Sequence, residues 1–337
     1  MMLASFIIPA HNASSTIIGC LDSIYGLAFR DIDFEVIVVD DCSTDNTVEI
    51  VEKYAISYSN LVLFRQSENH RQGSARNIGI AIAKGNLVVF VDSDDEVDSG
   101  VVSALRMTDE LGLDMVSMKS TKVSASGDIE EVTSLPYSSS TIFTGIELQK
   151  DHPFWFTGVV SYVFRLDFIK RVCYPFAEDV LYEDSDFLYK HLFHAKRMSY
   201  CDECGYKVLF NSISVTHTIS YRHLSDYALL GTRMLRLCES FLEKSKEYAE
   251  SMAAGGSYNL NKAFQMLYLL GSMKEIASFY DRFDAACDRI LLVGHKEPSL
   301  KLTLWTTFCL KHRNVTILLL GLASPVLKFI RKHRIKM

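Results

Sequence analysis

The sequence predicts an α/β fold in which an open, mostly parallel sheet carries helices on both faces. Over the first 118 residues, short apolar runs rich in β-branched residues alternate with segments whose apolar residues recur at helical spacing. The composition is 48% hydrophobic and 23% charged over 337 residues, as in an ordinary folded protein with ample length for a core. A disordered chain and a small disulfide scaffold are therefore excluded.

Strands and helices alternate along this part of the chain. The predicted strands are residues 3–8, 34–39, 61–64, 87–91 and 114–118. The predicted helices between them are one that begins near Ile17, one that is capped by Ser43-Thr-Asp45 and one through Ala75 to Ala83. Residues 119–150 are polar and typical of loops with an edge strand, and the acidic residues from Glu183 begin another helix.

Helical periodicity dominates beyond about residue 220, with a break predicted at Gly255-Gly256. We therefore predict two regions, an α/β domain over residues 1–220 and a smaller helical region over residues 221–337.

Polar residues follow three of the four strong strands, in the segments Pro9–Asn12, Asp40–Ser43 and Asp92–Asp95. Ligands of open parallel sheets bind outside the carboxyl ends of the strands. Asn12 or either serine alone is most simply explained as a turn residue or a helix cap. The carboxylates at this sheet edge would repel each other, so the edge is expected to hold a cation or a hydrogen-bonding ligand.

Asp92-Ser93-Asp94 places carboxylates at positions i and i+2 directly after a buried strand. Such a pair can bind a hard divalent cation, while an acidic turn before the next helix explains it equally well. No glycine-rich nucleotide loop follows any strand, which disfavours dinucleotide dehydrogenases and P-loop NTPases. Phosphate charge would instead be met by a metal and by Arg71 or Arg76.

Five ordered motifs together resemble those of family-2 glycosyltransferases with the GT-A fold, over roughly residues 1–215. They are Ile7-Ile-Pro-Ala-His-Asn12, Val38-Val-Asp-Asp-Cys-Ser-Thr-Asp45, Gly73-Ser-Ala-Arg-Asn-Ile-Gly79, Val89-Phe-Val-Asp-Ser-Asp-Asp95 and Tyr182-Glu-Asp-Ser-Asp-Phe187. The resemblance implies that residues 1–220 form a catalytic domain that binds a nucleotide sugar.

The resemblance also implies roles for individual residues. Asp94 would be the direct ligand of Mn²⁺ or Mg²⁺, with Asp92 beside it. The nucleotide-sugar-binding residues would be Pro9, Ala10, His11, Asn12, Asp41, Arg71, Arg76, Asn77, Asp92 and Ser93.

The Glu183-Asp184 pair is similar to the acidic motif that supplies the catalytic base in this family. Acidic residues at a helix start are also favourable partners of the helix dipole. Within the set of five motifs we prefer the catalytic interpretation, with Asp184 as the base and Glu183 as the second candidate.

Two further hypotheses are weaker. His217 could contact phosphate, but an ordinary polar histidine at a strand end explains it as well. Phe154–Phe156 could form a platform for the acceptor, but aromatic residues of the core explain them as well.

The charge of the chain is divided unevenly. Residues 301–337 contain eight Lys or Arg and no acidic residue, so the other 300 residues carry 27 basic and 41 acidic side chains, a net charge of −14. No nucleic-acid partner is expected. Either a C-terminal helix packs on the protein, or this basic tail meets an anionic membrane surface, which we prefer. No signal peptide is recognised, and the apolar run 315–327 is too short to span a membrane.

The resemblance, together with the basic tail, implies a metal-dependent, inverting glycosyltransferase at the cytoplasmic face of a bacterial inner membrane. It would move a sugar, most simply from a UDP-sugar, to a hydroxyl of a glycan or lipid-linked acceptor in surface-polysaccharide synthesis. The alternative is a membrane-associated scaffold that binds a nucleotide sugar without turnover.

Overall fold

The computed structural model describes residues 3–131, 135, 137–151, 158–210, 220–241, 245–267, 274, 276–283, 304–317 and 319–320. The chain divides into two compact units, Met1–Ser212 and Ile213–Met337. Phe154–Phe156, His217, residues 301–303 and residues 321–337 of the basic tail lie outside the described residues.

The described residues of the first unit form nine strands. They are β1 Leu3–Ala10, β2 Asp33–Asp40, β3 Leu61–Arg65, β4 Leu87–Phe90, β5 Glu96–Val97, β6 Met115–Val123, β7 Ile129–Glu131, β8 Tyr162–Arg165 and β9 Met198–Leu209. Its helices are α1 Ile17–Tyr25, α2 Thr47–Ala55, α3 Arg71–Ile82, α4 Gly100–Glu110, α5 Gly145–Asp151, α6 Leu166–Val172 and α7 Glu183–His194.

The strands form one mixed sheet in the order β3-β2-β1-β4-β8-β6-β9-β5, with β7 paired to β6. The first four strands are parallel, because a helix between each strand and the next returns the chain to the same end. β8 is antiparallel to both β4 and β6 and joins them. The predicted α/β sheet is thus confirmed, with its parallel part in β1 to β4.

Both faces of this sheet are buried, which explains its near-continuous apolar strands. Phe6 and Ile8 of β1 belong to one core cluster, while Ile7 between them belongs to the cluster on the other face. This alternation follows from the two-residue period of a strand. A rigid layer therefore fixes the positions of the loops that follow β1, β2 and β4.

Residues 119–150, predicted as polar loops with an edge strand, contain more regular structure than their composition indicates. β6 continues to Val123, β7 pairs with it, and α5 begins at Gly145. Thr144 caps α5, because its hydroxyl accepts from the backbone N–H of Glu147 while the Glu147 carboxylate accepts from the backbone N–H of Thr144. This capping box is a local signal that the Ser/Thr-rich composition obscured.

The second unit contains α8 Tyr221–Phe241, α9 Lys246–Gln265 and a further helix, Leu304–Lys311. The predicted break at Gly255-Gly256 is wrong, because α9 runs through both glycines. A Cβ atom at Gly256 would lie 3.1 Å from Leu235 Cδ2, and one at Gly231 would lie 2.7 Å from Leu260 Cγ. These glycines therefore let α8 and α9 approach closely. In the part of the chain that the structure describes, no helix combines the length and apolarity needed to cross a membrane.

Candidate active site

The loops that follow β1 and β2 are tied together by hydrogen bonds. The backbone N–H of Asn12 donates to Ser43 Oγ at 2.9 Å, and Asn12 Oδ1 accepts from the Thr44 N–H at 2.8 Å. Asn12 has a φ of 50°, a left-handed conformation that asparagine tolerates better than most residues. Asn12 therefore holds the two strand-end loops beside each other.

Asp41 lies at the centre of this edge and is buried. Its Oδ1 accepts hydrogen bonds from Gln66 Nε2 and from the backbone N–H of His70, both at 2.8 Å. The ring nitrogen Nδ1 of His11 lies 2.8 Å from the Asp41 carbonyl oxygen, to which it can donate. The ends of β1 and β2 and the start of α3 thus meet at one aspartate.

The other predicted binding residues differ in burial, and Ala10 takes part in this edge of the sheet through its backbone. Pro9 and Ala10 are buried in β1, and the Ala10 carbonyl oxygen accepts from the Asp41 N–H at 2.8 Å. Arg71 begins α3 with a φ of 67° and is half-buried. Ser93 is half-buried between Asp92 and Asp94.

The loop after β4 carries a cluster of three aspartates. Asp95 is buried, its Oδ2 accepts from the Tyr206 hydroxyl at 2.8 Å, and its Oδ1 accepts from the Leu209 N–H at 2.8 Å. Burial, followed by repulsion from Asp92, raises the pKa of Asp95 to about 8. Tyr206 also accepts from the Asp92 N–H at 3.1 Å, so β9 fixes this acidic loop.

Arg76 joins this acidic loop to the first turn of α7. Its Nη2 donates to Asp92 Oδ1 at 2.7 Å and its Nη1 donates to Glu183 Oε1. The Arg76 side chain is only 3% exposed. Burial alone would lower the pKa of Arg76, but attraction to Asp92 and Glu183 raises it above its ordinary value. The ion pairs therefore keep this buried guanidinium charged.

Residues 176–182, between α6 and α7, form a strap that lies along α3. Asn77 Nδ2 donates to the Phe176 carbonyl oxygen at 3.1 Å and to Glu178 Oε1 at 3.0 Å, and its Oδ1 accepts from the Phe176 N–H. His70 Nδ1 lies 3.2 Å from Asp179 Oδ1. Both polar ends of Asn77 thus contact the strap, although the resemblance implied that Asn77 binds the nucleotide sugar.

Gly73 completes the contact between the strap and α3. A Cβ atom at this position would overlap the carbonyl oxygen of Ala177, which is backbone and cannot rotate away. Only glycine lets the strap pass this close to the helix. The strap leads directly into Glu183, so its docking on α3 positions the start of α7.

Glu183 and Asp184 have different surroundings, although they are adjacent. Glu183 is buried against Arg76, and burial raises its pKa although Arg76 opposes this. Asp184 is half-buried, and burial followed by repulsion from Glu183 raises its pKa above that of an ordinary aspartate. A Cβ atom at Gly158 would lie 3.2 Å from Asp184 Oδ2, so a residue without a side chain faces this carboxylate.

The donor groups at the acidic loop suit a hard cation. Asp92 and Asp94 offer carboxylate oxygens, and their charges contribute to the raised pKa of Asp95. Among the described residues, no three His, Cys, Asp or Glu side chains group into a complete metal site. Mg²⁺ commonly uses one or two protein carboxylates and completes its shell with phosphate and water, and Mn²⁺ favours the same oxygen ligands. The residues present therefore fit a cation that is shared with a phosphate ligand.

Four structural partners of the site were not identified from the sequence, namely Gly73, Gly158, Asp95 as a buried acceptor, and Tyr206. Arg76 and Glu183 are 107 residues apart, and Tyr206 and Asp95 are 111 residues apart. A pattern of residue spacing within a short stretch of sequence cannot reveal pairs that are this far apart. Gly73 and Asp95 do lie inside the quoted motifs, where their surroundings could not be inferred.

Comparisons with known proteins agree with this architecture. The family Glycosyl transferase family 2 matches residues 5–170. TarS of Staphylococcus aureus, a poly(ribitol-phosphate) beta-N-acetylglucosaminyltransferase, is 37% identical over 128 residues, which are 38% of this chain and 22% of TarS. EpsJ of Bacillus subtilis, described as an uncharacterized glycosyltransferase, is 32% identical over 233 residues, which are 66% of this chain and 65% of EpsJ.

A solved structure shares the fold. The crystal structure of S. aureus TarS 1–349 in complex with UDP-GlcNAc superposes with a TM-score of 0.61 at 22% identity, covering 89% of this chain and 88% of that one. The sequence matches are shorter, and the chain spans about a fifth of the length of full TarS. Together with the motif order and the strand-end site, these matches show that residues 5–170 belong to glycosyl transferase family 2 and that the chain has the GT-A fold.

Proposed function

We propose that this glycosyltransferase is metal-dependent and inverting, and that it moves a sugar from a UDP-sugar to a hydroxyl of a glycan or lipid-linked acceptor. The product would belong to a bacterial surface polysaccharide. One observation carries the proposal: a single buried guanidinium, that of Arg76, binds the strand-end Asp92 and the Glu183 that precedes Asp184. Groups suited to the donor and to the acceptor are thereby held at one site.

The donor is proposed from the chemistry of the sheet edge and from the relatives. Asp41 Oδ1 already accepts two hydrogen bonds, so we assign its Oδ2 to the N–H of a uracil ring. The names of TarS and of its complex with UDP-GlcNAc support a UDP-sugar. Asp94, together with Asp92, would hold Mn²⁺ or Mg²⁺. When bound, such a cation offsets the charge that builds up on the leaving diphosphate.

Asp184 is the residue that we assign as the catalytic base. Glu183 is engaged by Arg76 and buried, so its carboxylate serves to hold the helix start. Asp184 is more exposed, faces Gly158 and has a raised pKa, as expected of a group that accepts a proton near neutral pH.

The reaction that follows is a single displacement. The acceptor hydroxyl oxygen attacks the anomeric carbon of the donor sugar, and its proton passes to Asp184. The bond from that carbon to the diphosphate oxygen breaks, and the electron pair leaves with UDP. One displacement from the opposite side inverts the configuration, and general-base catalysis of this kind contributes about 10² to 10⁴ in rate.

The acceptor is proposed to be presented at a membrane. Five basic residues between Lys328 and Lys336 end a region without acidic side chains, and such clusters favour anionic lipid. A lipid-linked acceptor would place the substrate where this tail binds. The protein would then act as a peripheral protein on the cytoplasmic membrane face.

The experiment that tests the function incubates the protein with a panel of nucleotide sugars and Mn²⁺ and measures released nucleoside diphosphate. We expect release from a UDP-sugar that EDTA abolishes. Asp184→Asn should lower it at least about 100-fold while UDP binding is retained. Asp167→Asn is the matched control, because Asp167 also lies in the first turn of a helix and is exposed.

Two outcomes would contradict parts of the proposal. If Asp184→Asn transfers sugar like the unmodified protein, the assignment of the base is wrong. If the protein binds UDP only with metal and releases none from any donor or acceptor, the nucleotide-sugar-binding scaffold replaces the transferase proposal.

A further inference from the structure

We propose that Arg76 is a positioning residue that couples the donor-side Asp92 to the base Asp184, acting through Glu183 rather than by contact with the nucleotide sugar. The inference rests on the proposed function, because it concerns the placement of the proposed base. It differs from the role implied by the family resemblance, in which Arg76 binds the nucleotide sugar directly.

Burial and hydrogen bonding argue against a direct phosphate contact by Arg76. The side chain is 3% exposed, one amino group is bound to Asp92, and the other is bound to Glu183. The remaining nitrogen, Nε, is buried and has no hydrogen-bond partner among the described residues. A diphosphate could reach this guanidinium only by displacing a carboxylate that already neutralises it.

The geometry instead suits a rigid bridge. A guanidinium is planar and presents separate donors in a fixed fork, so the carboxylates that it binds are held at a set separation. The Phe176 ring lies 5.5 Å from the Arg76 Cζ atom and restrains the guanidinium from one side. Phe176 is the first residue of the strap, which Asn77 holds to the same helix.

The bridge connects two segments that are far apart in the chain. Asp92 follows β4, and Glu183 begins α7, so a shift of the acidic loop is transmitted to the first turn that carries Asp184. Lysine would supply the charge but not the fork. Loss of the fork would leave the base slightly misplaced, and a displacement of about 1 Å can cost about 100-fold in rate.

The primary test compares Arg76→Lys with the unmodified protein in UDP binding and in transfer kinetics. We expect the Kd for UDP in Mn²⁺ to change by less than about 3-fold, and kcat for transfer to fall at least about 30-fold. The KM values for donor and acceptor should change little. A direct phosphate ligand would instead lose UDP affinity in step with kcat, and that result would overturn the proposal.

A second variant separates positioning from folding, because removal of one member of a buried ion pair destabilises a protein. Arg76→Met alone should lower the thermal unfolding temperature. Arg76→Met combined with Glu183→Met replaces the pair by apolar groups, so stability should recover while kcat stays at least about 30-fold low. Recovery of kcat together with stability would show that Arg76 acts only on folding.

The outcomes also distinguish this inference from the proposed function. If the unmodified protein releases no UDP from any donor, the function has failed and Arg76 is not at issue. If the unmodified protein transfers sugar and Arg76→Lys keeps kcat within about 3-fold, the positioning role is wrong and the function stands.

Discussion

Single residues set the space around the proposed base. Gly158 has a φ of −51°, which alanine also adopts, so Gly158→Ala should fold normally. Its new methyl group would lie 3.2 Å from Asp184 Oδ2, where the acceptor hydroxyl is proposed to approach. We expect kcat/KM for the acceptor to fall about 10-fold or more with UDP binding unchanged.

The control for this substitution is Gly19→Ala, because a Cβ at Gly19 makes only an ordinary 3.7 Å contact. Gly19 is also exposed in α1. Equal acceptor kinetics for Gly158→Ala and the unmodified protein would place the acceptor elsewhere.

A second residue-scale prediction concerns stability in acid. His191 is fully buried, its Nδ1 donates to the Phe187 carbonyl oxygen at 2.8 Å, and burial lowers its pKa to about 3. The unfolded chain binds a proton near pH 6.5, so the free energy of unfolding falls as pH drops below that value. At pH 5 this contribution is about 2 kcal/mol.

His191→Phe should therefore lose less stability between pH 7 and pH 5 than the unmodified protein. Urea unfolding at both pH values measures the difference. The same pH dependence in both proteins would contradict the neutral, buried histidine.

At the scale of elements, the contact between the strap and α3 positions the start of α7. The methyl group of Gly73→Ala would force the backbone of α3 and the backbone of the strap at Ala177 apart. Overpacking of this kind typically lowers the free energy of unfolding by about 1–3 kcal/mol. We expect a lower thermal unfolding temperature together with slower transfer, because Glu183 and Asp184 follow the strap. Gln72→Ala, at the exposed neighbouring position, should change neither. Unchanged stability in Gly73→Ala would show that the strap can move away without cost.

The sequence predicts elements better than it predicts their partners. The strands β1 to β4 follow from β-branched apolar runs with polar ends, and Asp92, Asp94 and Asp184 follow from ordered motifs. The insertion of β8 between β4 and β6 was not predicted, because strand pairing depends on contacts distant in sequence. For the same reason Arg76 could be named as a site residue, but its two carboxylate partners could not.

At the scale of the whole molecule, the division of charge leads to a prediction about membranes. Replacement of Lys328, Arg331, Lys332, Arg334 and Lys336 by Gln should weaken binding to anionic vesicles at least about 10-fold, since each cation near such a surface contributes about 1 kcal/mol. Co-sedimentation with vesicles containing phosphatidylserine measures this, and neutral vesicles are the control. Equal binding of the two proteins would remove the membrane role of the tail.

The way in which α3 holds the strap has a consequence for changes in chain length. The contacts come from His70 at the helix start and from Gly73 and Asn77, which are spaced by three and four residues and therefore lie on one side of the helix, with Arg76 beside Asn77 against the Phe176 ring. One residue inserted after Gly73 would rotate the later contacts by about 100° relative to the earlier ones. A substitution in α3 changes one of these contacts. An insertion would instead misalign several contacts at once, and so would separate the donor side of the site from the acceptor side.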